Sequence, residues 1–276
     1  MNVVSKLLLF ASKLVQEPPF RLVTRQFIKW LPVDLLTKEK WDVVVRPHYL
    51  SGLLRGAIEA RAAGIAEFCA IEFGVAAGGG LLTLQDYAIQ VEQRTGIKIK
   101  LIGFDTGVGL PDFCGDYRDH PDLWQPADYP MNEQWLRSQL SERTHLIIGN
   151  VSETVKKFVE TEQDCPVGFI AFDLDMYSST MDAFEVFRSH RRNILKRTPL
   201  YFDDIFALTY HKFAGEYLAI EEFNQEQNGI VIDKWYNIKI NRPFPENLWT
   251  EKMYIAHDLD AINKTGIKDR PPLNLS

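Results

Sequence analysis

Two pairs of acids occupy positions where a chain can do chemistry. Asp173-Leu174-Asp175 follows the apolar run Val167–Phe172, and Asp203-Asp204 follows Pro199–Phe202. A continuous apolar run of that length reads as a central parallel strand covered on both faces. If these two strands are neighbours, three or four carboxylates converge within a few ångströms. Like charges that close force a proton onto one of them unless a cation neutralises the group. Oxygen donors without His or Cys beside them favour Mg²⁺, Ca²⁺ or Mn²⁺ over Zn²⁺. Alternation along an extended backbone points Asp173 and Asp175 roughly the same way, so both can face one ligand while only one coordinates an ion.

Two further acids sit at strand ends. Glu72 lies in FCAIEFGVAAGGG, and Asp105 closes Ile97–Phe104. Acids there also serve as N-caps of the next helix, an alternative that stays open for any one position. Four in register ask for more than capping. In an open parallel sheet, ligands bind beyond the carboxyl ends of the strands, and an acid ending the second strand is placed to accept from ribose hydroxyls.

The stretch Phe68–Gly80 positions the rest. Its apolar run passes through Glu72 into Gly74, Gly78, Gly79 and Gly80, and Leu81–Val91 then reads as a helix. Strand, glycine turn and helix make the first crossover of a doubly wound sheet, with helix-start N–H groups offered to an anionic ligand group. The spacing Glu72-x-Gly74-x-x-x-Gly78-Gly79 departs from the dinucleotide pattern G-x-G-x-x-G.

Bulk properties narrow the class. The chain has 276 residues, 46% hydrophobic, with net charge −6 and no basic block, which argues against a nucleic-acid partner. Three cysteines (Cys69, Cys114 and Cys165) without C-x-x-C spacing suggest neither a disulfide framework nor a zinc site, and a cytoplasmic location fits. No stretch approaches the roughly 20 apolar residues of a membrane span. Residues 1–45 read as a helical extension or cap. Within it Val3, Val4, Leu7, Ala11, Leu14 and Val15 share one helical face, which points to packing on the domain or to a homodimer. Attachment to a membrane surface is the minor alternative. Residues 46–276 read as a single α/β domain: a Rossmann-like, doubly wound, mostly parallel sheet of about seven strands with flanking helices. Helices are expected near Ser51–Ala63, Asn132–Ser141, Ser152–Glu160 and Gly215–Gln227, and one after the caps Ser178-Ser179. Ile230–Trp235 and Ile238–Ile240 read as edge strands and Met253–Ala256 as the last. The loop 106–130, rich in Pro, Asp and aromatics (Phe113, Tyr117, Trp124, Tyr129), reads as a lid.

The motifs at Ile71–Gly80, Gly103–Pro111, Phe169–Thr180 and Tyr201–Ile205 resemble those of class I S-adenosylmethionine (SAM) methyltransferases. The likeness is to the macrocin O-methyltransferase-like, metal-dependent group and runs from about Arg46 to about His257. The resemblance implies that Asp173, Asp203 and Asp204 hold a divalent metal, Mg²⁺ or else Ca²⁺ or Mn²⁺, with Asp175 as general base. It implies a SAM site lined by Glu72, Gly74, Gly78 and Asp173, with Asp105 on the ribose and Asn150 near the adenine. Arg46 and Tyr49 are then candidates for the methionine carboxylate, although a surface ion pair explains Arg46 equally well. The implied reaction is methyl transfer to a hydroxyl of a small molecule or sugar, aided by a cation, a carboxylate base and alignment. Two rivals remain. D-x-D also holds metal in nucleotide-sugar glycosyltransferases, where basic groups would share the diphosphate. A non-catalytic relative would instead tie its carboxylates into ion pairs and leave no cavity. His48 and His211 could reach the site, but a lone histidine is more often structural.

Overall fold

The computed structural model describes residues 14, 15, 17–161, 165–189, 193–206 and 211–264. The apolar face expected within residues 1–16 therefore lies outside the described residues, apart from Leu14 and Val15, which are both exposed. The runs singled out above become strands β1 (Glu67–Phe73), β2 (Lys98–Asp105), β3 (Thr144–Ile148), β4 (Val167–Phe172) and β5 (Arg197–Phe202). Two more follow, β6 (Ile230–Lys234) and β7 (Met253–Asp258). They form one sheet in the order β3-β2-β1-β4-β5-β7-β6. The first five strands run parallel, whereas β7 lies antiparallel to both β5 and β6. The sheet is thus doubly wound and mostly parallel, as expected. Ile238–Ile240 is not a strand: Tyr236–Lys239 forms a 3₁₀ turn, and the last strand inserts between β5 and β6.

Helices cover both faces, and strand alternation divides the core between them. From β1, Phe68 and Ala70 join one apolar cluster while Cys69, Ile71 and Phe73 join the other. The first cluster packs against α3 (Pro47–Ala62) and α4 (Gly79–Thr95), through Leu50, Leu53, Leu81 and Leu84. The second packs against α6 (Val151–Thr161), α7 (Tyr177–Ala183), α8 (Glu185–Arg188) and α9 (Gly215–Gln225), through Val155, Phe187 and Phe223. A short α5 (Glu133–Gln139) precedes β3, and α10 (Leu259–Asn263) follows β7. Ahead of the sheet, α1 (Phe20–Trp30) and α2 (Leu35–Lys40) attach through a small cluster of Ile28, Trp41 and Phe244.

Four phenylalanines cross the sheet at the level where the site begins. Phe104, Phe73, Phe172 and Phe202 are register partners on β2, β1, β4 and β5. Their rings stack in sequence with centroids 4.8, 5.5 and 4.6 Å apart and interplanar angles of 25°, 19° and 5°. All four are buried to about 1% exposure or less. Each buried ring contributes about 1.5–3 kcal/mol, and each ring pair adds about 0.5–1.5 kcal/mol. The residue immediately after each ring is, in order, Asp105, Gly74, Asp173 and Asp203. The stack therefore holds four site positions at one height.

Candidate active site

Above the phenylalanine stack lies a cavity of about 290 Å³. Because β4 and β5 are hydrogen-bonded neighbours, their terminal acids meet there as expected. Asp173, Asp203 and Asp204 each offer a carboxylate oxygen, and these three oxygens lie within 4.8 Å of one another. Asp175 joins them in the cavity wall, although not by strand alternation. β4 has ended at Phe172, and Asp175 turns with φ +61°, a left-handed conformation uncommon for a non-glycine residue. Strain of this kind costs of order 1–3 kcal/mol and persists only where the surroundings enforce it.

The electrostatics are those of an acidic pocket with a deficit of positive charge. Burial, followed by repulsion from Asp203 and Asp204, pushes Asp173 up to about 7. Burial and neighbouring carboxylates raise Asp175 and Asp204 as well. Asp203 is the exception. Burial alone would raise it, but the Tyr201 hydroxyl and the Lys252 ammonium hold it below the ordinary carboxylate range. Tyr201 donates to its Oδ1, and Lys252 Nζ lies 3.2 Å from the same oxygen. Asp204 Oδ2 is buried without a hydrogen-bond partner among the described residues. A set of hard oxygen donors that cannot all be ionised unaided, one of them orphaned, fits a divalent cation of the Mg²⁺, Ca²⁺ or Mn²⁺ type.

Sequence reasoning missed two residues beside this cluster. Glu216, in the first turn of α9, is fully buried; its Oε2 accepts from the Asp204 backbone N–H at 3.0 Å, and its Oε1 has no partner among the described residues. Lys252 reaches the site because antiparallel β7 starts at the carboxyl end of β5, Met253 pairing with Tyr201. No local pattern marks either one. From the loop 106–130, Trp124 and Tyr129 line the cavity with Leu110 and Asp128. Phe113 and Tyr117 do not line it. The lid is tied down by fully buried Asp119, which accepts from Cys114 N, Ser178 N and Ser178 Oγ at 2.7, 2.8 and 3.0 Å. Ser178 and Ser179 are accordingly not helix caps. α7 begins after Met176 with no side-chain cap, Ser178 anchors the lid and Ser179 faces the cavity.

The glycine turn is placed as expected, but its residues divide the work differently. Gly74 borders the cavity with φ +81°, and a Cβ there would lie 1.8 Å from the Asp173 carbonyl oxygen. Gly78 does not line the cavity; it allows α4 to start against Leu136, whose Cδ1 a Cβ would meet at 2.4 Å. Asp105 lines the cavity and also braces the turn. Its Oδ2 accepts from Val75 N and Ala76 N at 2.9 and 2.8 Å, and its Oδ1 accepts from Gly107 N at 2.6 Å. One lone pair on Oδ1 is left for a ligand hydroxyl. Asn150 lines the cavity too, but its Oδ1 accepts from Ser152 N and Ser152 Oγ, so its amide N–H₂ is the part left to a ligand.

Glu72, Tyr49 and Arg46 form a chain outside the cavity wall. The buried Tyr49 hydroxyl donates to Glu72 Oε1 at 2.6 Å, and Arg46 Nη1 lies 3.5 Å from that hydroxyl. Burial pushes Glu72 up to about 8, and its Oε2 has no partner. With its hydroxyl so engaged and its ring fully covered, Tyr49 does not face the cavity. His48 is structural. It stacks on Tyr201 with centroids 3.9 Å apart, and burial drives it down to about 3. His211 stacks on Phe213 with centroids 3.8 Å apart, and its ring lies 4.9 Å from that of His120.

No protein-family profile and no curated protein matches the chain. Among solved structures, it is similar to CalS11, a calicheamicin methyltransferase, at 22% identity over 75% of this chain and 84% of that one, with TM-score 0.49. It is also similar to cofactor-bound Rv0187 from MTB, at 12% identity over 91% and 96% of the two chains, TM-score 0.39. A third is MycE methyltransferase from the mycinamycin pathway, in complex with Mg, SAH and mycinamycin VI, at 11% identity over 72% and 47%, TM-score 0.39. Likenesses this low carry no argument about what this chain does.

Proposed function

We propose that the chain is a SAM-dependent, divalent-metal-dependent O-methyltransferase acting on a hydroxyl of a small molecule or sugar. The observation that carries this reading is a single cavity that combines the three-carboxylate cluster with the glycine turn and has no Lys or Arg among its described lining residues. A nucleotide-sugar diphosphate would be poorly served by walls that carry only negative charge. A sulfonium and a divalent cation are well served by them. The non-catalytic alternative required carboxylates locked into ion pairs and no cavity. Here Asp203 alone pairs with Lys252, and the cavity is present.

Bound SAM supplies an electrophilic methyl group, and the cation supplies Lewis acidity toward the acceptor hydroxyl. The residues do the rest. Asp173, Asp203 and Asp204 hold the cation, with Glu216 fixing the Asp204 backbone. Asp175, in the cavity wall beside the cluster, accepts the hydroxyl proton. Asp105 binds the ribose through Oδ1, and Asn150 faces the adenine through its amide N–H₂. Tyr49 holds Glu72 in place, and Arg46, whose Nη1 lies 3.5 Å from the Tyr49 hydroxyl, stays the candidate for the methionine carboxylate and would have to reach it from outside the cavity wall. Trp124 and Tyr129, in the cavity wall, would exclude water from the reacting groups. No described helix is long and apolar enough to cross a membrane. Three free cysteines suit a cytoplasmic setting.

Calorimetry with SAM, with and without Mg²⁺, is the test, followed by turnover against a panel of hydroxylated acceptors. Asp175→Asn should retain SAM and cation binding while turnover falls by about 10²–10⁴-fold. Absence of SAM binding in the unaltered protein, or full turnover by Asp203→Ala in chelator, would overturn the reading.

A further inference from the structure

The helix α1 is mounted inside out. Its sequence, FRLVTRQFIKW, is strongly amphipathic, yet the charged residues Arg21 and Arg25 turn inward. Arg21 pairs with Glu246 at 2.8 Å, donates to the Pro243 carbonyl at 3.0 Å and lies 5.1 Å from the Phe244 ring centroid. Arg25 donates to the Asp42 carbonyl at 2.6 Å and sits 4.9 Å from the same ring. Ile28 is the helix's one buried residue. The opposite face carries Phe20, Leu22, Val23, Phe27 and Trp30, continued by Leu31, all at least half exposed; Phe27 is 65% and Trp30 77% exposed.

We propose that this face is a homodimer interface in which α1 of one protomer packs antiparallel on α1 of its partner across a two-fold axis. Three observations favour a second copy of this chain. First, Phe20, Val23, Phe27 and Trp30 recur with spacings of three, four and three, the narrow seam that a single facing helix fills. That seam reads the same in both directions about residue 25. Antiparallel pairing sets Phe20 against Trp30 and Val23 against Phe27, the self-complementarity that a two-fold contact needs. Second, the six exposed side chains present about 700 Å² of apolar surface, taking usual side-chain areas. That exceeds the roughly 300–600 Å² of the largest patch on a typical monomer and approaches the roughly 800 Å² per partner of a stable complex. Third, a membrane-surface helix needs basic residues free to meet anionic headgroups. Here Arg21 and Arg25 are engaged inward, Lys29 is the one exposed basic residue of the helix, and the chain carries net charge −6. The interface is independent of the proposed reaction.

Light scattering on the full chain is the test. The protein should run at twice 31.8 kDa, and Phe27→Glu/Trp30→Glu should run at 31.8 kDa with an unchanged circular dichroism spectrum. Both residues are exposed in the protomer, so the variant should keep its fold. Register is read separately, in a Cys114→Ser background. Gln26→Cys, next to the axis, should cross-link through a bis-maleimide spanning about 8–10 Å, the separation of packed helices, whereas Gln93→Cys should not. A monomeric protein across micromolar concentrations, a dimer that survives the double substitution, or a dimer without the Gln26 cross-link would overturn the proposal. So would a monomer whose binding to phosphatidylcholine–phosphatidylserine vesicles is lost in the double variant, because the face would then be a membrane contact.

Discussion

With divalent cations removed, the fold should weaken as pH rises toward and past neutrality. Asp173 has a folded-state pKa of about 7 against an ordinary value of 3.8. The folded chain therefore binds an extra proton between those two values. The contribution to stability is fully present below about pH 4 and is lost as pH rises through about 7. At about 1.4 kcal/mol per unit, a rise of roughly three units sets a ceiling of about 4 kcal/mol for this group. Glu72, raised from 4.5 to about 8, acts with the same sign over a similar window. Asp175 and Asp204 act in that direction too, but their shifts contain one another's charge and do not add to that of Asp173. Asp203, held low, has the opposite sign; its contribution is present above 3.8 and is lost only as pH falls through its lower folded value. Against a total stability of about 5–15 kcal/mol, a loss of 2–4 kcal/mol is large. Urea unfolding midpoints in chelator, measured from about pH 5.5 to about pH 8.5, should fall up to about pH 8 and then level off. Added Mn²⁺ or Mg²⁺ should raise the midpoint, and by more at the alkaline end, because the cation competes with protons for the same carboxylates. Asp204→Asn should lose most of that cation effect. A metal-free midpoint that is flat across the window would refute the reasoning. So would a cation effect of equal size at both ends.

Two substitutions probe the supports of the site. A Cβ at Gly80 would lie 1.8 Å from Glu72 Oε1 and 2.9 Å from the Tyr49 hydroxyl, whereas one at Gly79 would meet nothing within 4 Å. Gly80→Ala should therefore lower stability by about 2–4 kcal/mol through overpacking and the broken Tyr49–Glu72 bond, while Gly79→Ala should be neutral or mildly stabilising; equal melting temperatures would count against the assigned packing. Asp119→Ala removes three hydrogen bonds that hold the lid. Amide exchange across residues 110–130 should accelerate by about 10–100-fold, the equivalent of one or two such bonds, with β1 and β4 unchanged. Lid protection that stays intact would show that the lid is held elsewhere.

What the sequence made legible was whatever depends on short-range pattern. Val167–Phe172 reads as a buried strand from composition alone, and the acid pair that follows is placed by the strand's end. Failures came where a partner far along the chain decides the outcome. Ile238–Ile240 has β-branched residues but too few of them, and the segment closes as a 3₁₀ turn before Arg242 reaches Glu39 and Asp42. Ser178 has the chemistry of a cap, yet its hydroxyl and N–H both go to Asp119, 59 residues earlier. Tyr49, read as a candidate for a cofactor carboxylate, gives its hydroxyl to Glu72, 23 residues later. Glu216 and Lys252 carry no local signature, since their roles arise from the packing of α9 and the reversed direction of β7. One signal was present and unread: a phenylalanine stands immediately before Gly74, Asp105, Asp173 and Asp203.

Those four rings act as a partition. Below them lies the apolar cluster to which all four rings belong, packed under α6, α7, α8 and α9. Above them, the carboxylates are held by the backbone that leaves the partition, while the roof consists of lid residues such as Leu110, Trp124 and Tyr129. Interiors packed as densely as crystals transmit strain, so a site built directly on core side chains would exchange selectivity against stability. Here the stacked layer, of which Phe104 alone borders the cavity, stands between that cluster and the site. The roof can be redrawn for another acceptor without recutting the floor, and the carboxylates stay at a constant height whatever the roof becomes.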